Sequence, residues 1–314
     1  MTRRTRAFAI VAVTLVAGAT ATGAGASPDA EPRVVILSGS DAGAHRQVVE
    51  GFRGLLAKRG VKTPQFPPDP NSQTANDPAG ASIILTVGGA STDWVLKHVS
   101  AIPVVGCAIP HPDSVSNSAN ATGVTLQFDL RTELDWLRRF LPDARRVGVL
   151  YHTADNAARV EAAQSIGRDL GLEVVGYPIA APAEIPPVLE SATGEVDVLW
   201  GISDPTVLSP QTANAVLLAS FRHRIPFIGL SAEWVEAGAL YALQRDFRAL
   251  GRQCGEVALS VLGGAKPGAV PVAGPDASTY SVNLRTARLL GLDLPEELVA
   301  GAAAVFPAEE DPRQ

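Results

Sequence analysis

The 314-residue chain is 46% hydrophobic and 18% charged, enough apolar material for one large domain or two ordinary ones. Its formal charge is −6 with a pI near 5.4, and no Lys/Arg-rich block follows the first few residues, which argues against nucleic acid or an anionic membrane as partner.

The first 26 residues read as a cleaved secretory leader: basic at Arg3-Arg4, apolar from about Ala7 to Ala17, and ending in the A-x-A signal Ala24-Gly25-Ala26. The apolar part is too short to span a bilayer. No cysteine lies near the cleavage point, so no lipid anchor is expected there, and the mature protein is expected to be exported and soluble. The arginine pair leaves Sec and twin-arginine export both open.

In chain order, apolar runs then predict strands at RVVILSG (33–39), SIILTVG (82–88), RVGVLYH (146–152), VDVLWGI (196–202) and IPFIGLS (225–231). They are nearly continuous rather than alternating, as strands covered on both faces are. Between them lie helical patterns. Leu134, Leu137 and Leu141 share one face; Val160, Ala163, Ile166 and Leu170 share another, with Gly171 as a C-terminal cap. Pro64 to Gly80, rich in Pro, Asn and Asp, reads as an irregular surface segment. Strand–helix alternation predicts an α/β fold with parallel sheets.

The order of elements repeats. RVVIL (33–37) is answered by RVGVL (146–150), SIILTVGGAST by VDVLWGISDPT, and IPVVG (102–106) by IPFIG (225–229). Shared order predicts two Rossmann-like lobes in tandem. Ligands of such sheets bind beyond the carboxyl ends of the strands, which are the loops Ser38–His45, Gly88–Thr92, Tyr151–Asn156 and Ser203–Val207. Gly88 and Gly89 would let backbone approach a ligand closely. Ser91 or Thr92 could cap the following helix, whose N–H groups and dipole suit a carboxylate. Opposite, Asp204 offers a negative charge for an ammonium group, or simply turns the chain at Asp204-Pro205 and caps the next helix. Tyr151 could stack on a ligand or hydrogen-bond to it. Together these walls suit an amino acid or similar zwitterion.

Enzyme chemistry has no foothold in the motifs. There is no G-x-S-x-G elbow, no phosphate-binding glycine motif, and the histidines His45, His98, His111, His152 and His223 have no metal-ligand spacing. No cofactor is expected. Cys107 and Cys254 could pair in an oxidising compartment or stay as buried thiols.

Taken together, GGAST after a strand, CAIPHPDSV, NATGVTL, LPDARRVGVLYHTADN, VDVLWGISDPTV, the run IPFIGLSAEWVEAGALYALQRDFRALGRQCGEVALSVLGGAKP and YSVNLRTARLLGLDLPEEL resemble the ABC-transporter substrate-binding proteins of the type I periplasmic-binding fold, the family that includes tryptophan/tyrosine-type binding proteins. The resemblance implies a two-lobed, monomeric periplasmic protein that closes over a small ligand and delivers it to a membrane permease. A sensor reporting to a receptor or kinase is the alternative, and an exported enzyme a remoter one. Position by position it implies first-lobe contacts from Ser40, Gly89, Ala90, Ser91 and the loop at His111. Second-lobe contacts would come from Tyr151, Asn156, Asp204 and Ser231, with Asp246 and Phe247 near the hinge. It also implies lobe I at 33–125 plus 246–275 and lobe II at 128–244 plus 279–306. The crossings would lie near Thr125–Asp129, Gln244–Asp246 and Ala273–Tyr280.

Overall fold

The computed structural model describes residues 32–40, 43–63 and 80–307. The expected leader and nearly all of the Pro64–Gly80 segment lie outside these residues. Among the described residues no helix is long and apolar enough to cross a membrane.

The first half alternates β1 (Val34–Ser38), α1 (Gly43–Lys58), β2 (Ile83–Val87), α2 (Gly89–His98), β3 (Val104–Ile109), α3 (Asp113–Ser116) and β4 (Ala121–Thr125). Its four strands form one parallel sheet in the order β1-β2-β3-β4. Strands β2, β3 and β4 are buried along their whole length, which accounts for their near-continuous apolar sequences.

The second half runs α4 (Leu130–Phe140), β5 (Arg146–His152), α5 (Thr153–Asp169), β6 (Glu173–Ile179), α6 (Ile185–Ala192), β7 (Val198–Trp200), α7 (Ala213–His223), β8 (Phe227–Ile228), α8 (Ala232–Ala237) and β9 (Tyr241–Arg245). Then come α9 (Phe247–Leu262), β10 (Ser278–Asn283), α10 (Leu284–Leu290), α11 (Glu296–Ala300) and β11 (Ala304–Phe306). The second sheet is ordered β11-β10-β9-β8-β7-β5-β6. Strands β5 to β9 are parallel, whereas β10 runs antiparallel to β9 and β11 follows β10. The sheet is therefore mixed at one edge, where a purely parallel one was expected. The YSVN run of β10 returns from the other lobe by a short link rather than through a crossover helix, so it can only enter the sheet reversed.

The order β6-β5-β7-β8-β9 is the doubly wound arrangement, with its switch point between β5 and β7. Strands β1, β2 and β3 hold the places in their sheet that β5, β7 and β8 hold in theirs, the same pairs whose sequences repeat.

Three short links join the sheets: residues 126–129 between β4 and α4, Asp246 between β9 and α9, and residues 274–277 before β10. Just before the third link, Ala273 bridges in parallel to Val124 of β4. Helix α9 follows the second link back onto the first sheet. Its Gly251 lies so close to α1 that a Cβ there would stand 2.0 Å from the Val48 carbonyl oxygen. A disulfide between Cys107 of β3 and Cys254 of α9 closes the same core. The pairing alternative for the two cysteines is thus the one adopted, because α9 lays its buried face, Cys254 included, against β3.

Candidate functional site

At the carboxyl end of the first sheet, β2 ends in Gly88 with φ 89° and ψ 155°, a region open essentially to glycine alone. Gly88 is the N-cap of α2, no side chain caps this helix, and its first turn carries no acidic residue. The expected hydroxyl cap is not made. Ser91 Oγ donates to the carbonyls of Val87 (2.7 Å) and Gly88 (2.9 Å), and Thr92 Oγ1 to Gly88 (3.0 Å), because both residues sit one turn into the helix and point back at the strand. Thr92 is fully buried against Thr86 Oγ1 at 2.7 Å, so it serves the core and does not line a cleft. Gly89, Ala90 and Ser91 remain at the partly exposed start of α2, with donors that nothing on their own helix satisfies.

His45, in the first turn of α1, stands over this corner. A Cβ on Gly88 would meet its ring carbon at 2.9 Å. Its Nδ1 is 3.1 Å from Ser38 Oγ, and that hydroxyl donates to Ser40 O at 2.6 Å. With its proton spent on Ser40, the Ser38 oxygen accepts from Nδ1–H, which leaves Nε2 facing the corner. His45 lay inside a cleft loop in the sequence but had no motif to single it out. His111, exposed after β3, bonds Gln127 Nε2 at 3.0 Å and so ties the site loop to the first link between the sheets.

At the switch point of the second sheet, Asp204 changes role. It is 2% exposed. Oδ2 accepts from the backbone N of His152 (2.6 Å) and from Asn156 Nδ2 (2.9 Å), and Oδ1 from the backbone N of Thr206 and of Val207 (3.0 Å each). Four donors occupy the four lone-pair directions of a carboxylate. Asp204 is therefore the turn-former, the second of its two sequence readings, and has no free lone pair to offer an ammonium group. Asn156 is likewise buried, held by Asp204 and Ser203. The Tyr151 ring lies over Gly176 of β6 and packs on the second core. Ser231 donates its hydroxyl to Glu233, which lowers that carboxyl's pKa. Asp246 caps α9 by accepting from Ala249 N at 2.9 Å.

Beside the links lies a pocket of about 400 Å³, counting the space open to solvent, at the carboxyl ends of β7, β8 and β9. Phe128, Trp200, Leu230 and Tyr241 are among its apolar walls, and Glu133 and Arg245 supply its charges. Glu133, in the first turn of α4 and 19% exposed, pairs through Oε2 with Arg159. Burial outweighs Arg159 and Arg245 and pushes its pKa up to about 7. Arg245 donates through Nε to Leu126 O, in the first link, and stands 5.5 Å over the Phe128 ring. Burial lowers its pKa, opposed by Glu133. Burial and the nearby Glu133 both push Tyr241 well above the ordinary phenol range. Neither charged residue was singled out from the sequence: "TELDWL" reads as an ordinary amphipathic helix and "LQRDF" as a strand end. Among the described residues, no cluster of His, Cys, Asp and Glu could hold a metal ion.

Two α/β halves, a four-stranded parallel sheet and a doubly wound sheet, joined by three short links and each carrying a polar corner at the carboxyl end of a strand, define the two-lobed type I periplasmic-binding fold. The chain belongs to the ABC transporter substrate binding protein family, whose model matches residues 35–306. It is 24% identical over 219 residues to a tyrosine-binding protein of Clostridioides difficile (strain R20291), a match covering 67% of this chain and 63% of that one. The chain thus spans somewhat less than two thirds of the curated relative's length. A ligand-free, open substrate binding protein with adhesive properties from Clostridium difficile has the same fold, with a TM-score of 0.66 and 22% identity over 87% of this chain and 99% of that one. So does an ABC domain from Streptococcus pneumonia in complex with L-Trp, with a TM-score of 0.54 and 21% identity over 88% of this chain and 100% of that one.

Proposed function

We propose that this chain is an exported solute-binding protein of an ABC importer that holds an amino acid between the loop-bearing edges of its two sheets and hands it to a membrane permease. The observation that carries this reading is the uncapped start of α2. Its free N–H groups at Gly89, Ala90 and Ser91, reached over Gly88, match a ligand carboxylate in charge and geometry. The His45 ring beside them turns Nε2 toward the ligand's amino group, the role the saturated Asp204 no longer fills. Ser40 and His111 lie on adjoining loops. Tyr151, Asn156 and Ser231 shape the opposite wall, and Asp246 holds the second link by capping α9. The tyrosine and tryptophan named for the relatives support an amino-acid ligand, aromatic by preference.

The mechanism is hinge closure. A ligand that touches both lobes favours the closed form only by its extra contacts there. No bond is broken and no cofactor takes part.

Native mass spectrometry of the exported protein, followed by thermal shift across the twenty amino acids, tests this. A ligand at 100 times its dissociation constant adds about 2.7 kcal/mol to stability. The reading predicts a clear melting shift with at least one amino acid, and a flat response to all twenty refutes it.

A further inference from the structure

The pocket at the ends of β7, β8 and β9 has more chemistry than a gap in packing requires. Glu133 makes its one hydrogen bond among the described residues through Oε2, to Arg159, and Oε1 makes none. Arg245 likewise makes one, from Nε to Leu126 O, which leaves its two terminal nitrogens without a hydrogen bond. A carboxylate acceptor and a guanidinium donor therefore stand together on a wall otherwise built from Phe128, Trp200, Leu230 and Tyr241. An aliphatic or plain phenyl group entering here would leave both desolvated and unpaired, which is costly. A phenol satisfies both, because its hydroxyl is donor and acceptor at once.

We propose that this pocket is the side-chain subsite and that Glu133 and Arg245 are its specificity-determining pair, selecting an aromatic side chain that ends in a hydroxyl. The ring lies among Phe128, Trp200 and Tyr241. The phenol O–H donates to Glu133 Oε1, and the phenol oxygen accepts from the Arg245 guanidinium. Indole, with a donor alone, satisfies Glu133 and leaves Arg245 unmet; phenyl satisfies neither. The order of affinity is then tyrosine, tryptophan, phenylalanine. Arg245 also bonds the first link between the lobes, so a ligand that engages it touches the hinge directly.

This inference rests on the amino-acid reading above, and calorimetry separates the two. Wild-type protein is titrated above pH 7, where Glu133 is ionised, with L-tyrosine, L-tryptophan, L-phenylalanine and O-methyl-L-tyrosine. L-Tyrosine is expected to bind about 10- to 100-fold more tightly than L-phenylalanine, since hydrogen bonds to charged groups are lost. O-Methyl-L-tyrosine, which cannot donate, should fall to the phenylalanine level or below. Glu133→Gln and Arg245→Gln should each shrink the tyrosine-to-phenylalanine ratio. That ratio is insensitive to general damage, and the wild-type titrations decide the matter even where a variant does not fold. Amino-acid binding with equal affinity for tyrosine, O-methyl-tyrosine and phenylalanine overturns this proposal and leaves the broader reading standing. Binding of none of the four ligands overturns this proposal, and the twenty-amino-acid screen then decides the broader reading separately.

Discussion

Asp204 Oδ2 lies 2.6 Å from the backbone nitrogen of His152, and this contact closes the crevice between β5 and β7 at the point where the strand order reverses. The same carboxylate holds Asn156 and two amides of its own turn, so one side chain sets the conformation of both loops on the second lobe's wall.

Replacing Asp204 therefore affects folding before it affects binding. Asp204→Asn keeps the shape but turns an NH₂ group toward donors, and Asp204→Ala leaves buried donors unmet. Each is expected to lower the unfolding free energy by about 2–4 kcal/mol in urea denaturation, since several hydrogen bonds to a buried charge are lost together. A loss below about 0.5 kcal/mol would show that the turn does not depend on this carboxylate.

Gly88 and Gly54 should respond oppositely to alanine. Gly88 has φ +89° and its added Cβ would press on the His45 ring, so Gly88→Ala should cost about 1–3 kcal/mol and weaken ligand binding by displacing that ring. Gly54 lies within α1 with nothing within 4 Å of an added Cβ. Gly54→Ala should be stabilising by about 0.5–1 kcal/mol. Chemical denaturation of the pair, read beside calorimetry, checks both directions.

The Cys107–Cys254 bridge spans 147 residues of sequence and pins α9, which arrives after the second link, to the first sheet. Its removal in a Cys107→Ala/Cys254→Ala double variant should lower stability by about 2–5 kcal/mol, chiefly by freeing the unfolded chain. The melting temperature of the wild type should fall on reduction by dithiothreitol, and that of the double variant should not respond.

Glu133 predicts a pH dependence. Its pKa rises from 4.5 to about 7 on folding, so between those values the folded protein holds a proton that the unfolded chain has lost. Stability from this group is full below about pH 4.5 and is lost as pH rises through 7, by up to about 3 kcal/mol. Glu133→Gln removes the titration. The difference between wild-type and variant stability, measured by denaturation from pH 4 to 8, should slope over that window and flatten above it. A flat difference throughout would mean that the arginines hold Glu133 ionised in the folded state.

Much of the fold was legible because its signals are local. Continuous apolar runs such as SIILTV mark strands buried on both faces, and the repeated order of RVVIL and RVGVL marks two similar lobes. Gly88-Gly89 stood out because glycines at the end of a strand let backbone approach a ligand closely, and Gly88 does take a positive φ. The reversed β10 was not legible, since strand direction depends on where the preceding segment leaves the other lobe. Asp204 could be read as ligand contact or turn-former, and neighbours in sequence could not choose, because two of its four donors come from about fifty residues away.

By itself, then, the sequence determined the strands β1, β2, β5, β7 and β8 and the amphipathic helices α4 and α5, that two similar α/β halves form, and that a glycine corner opens a helix start, because periodicity and backbone preference act over a few residues. Only the tertiary structure decided that Cys107 meets Cys254, that Asp204 is saturated, and that Glu133 of α4 and Arg245 of β9 face one pocket. Burial and hydrogen-bond partners at those positions are set by elements dozens to more than a hundred residues apart, brought together only when the sheets are assembled.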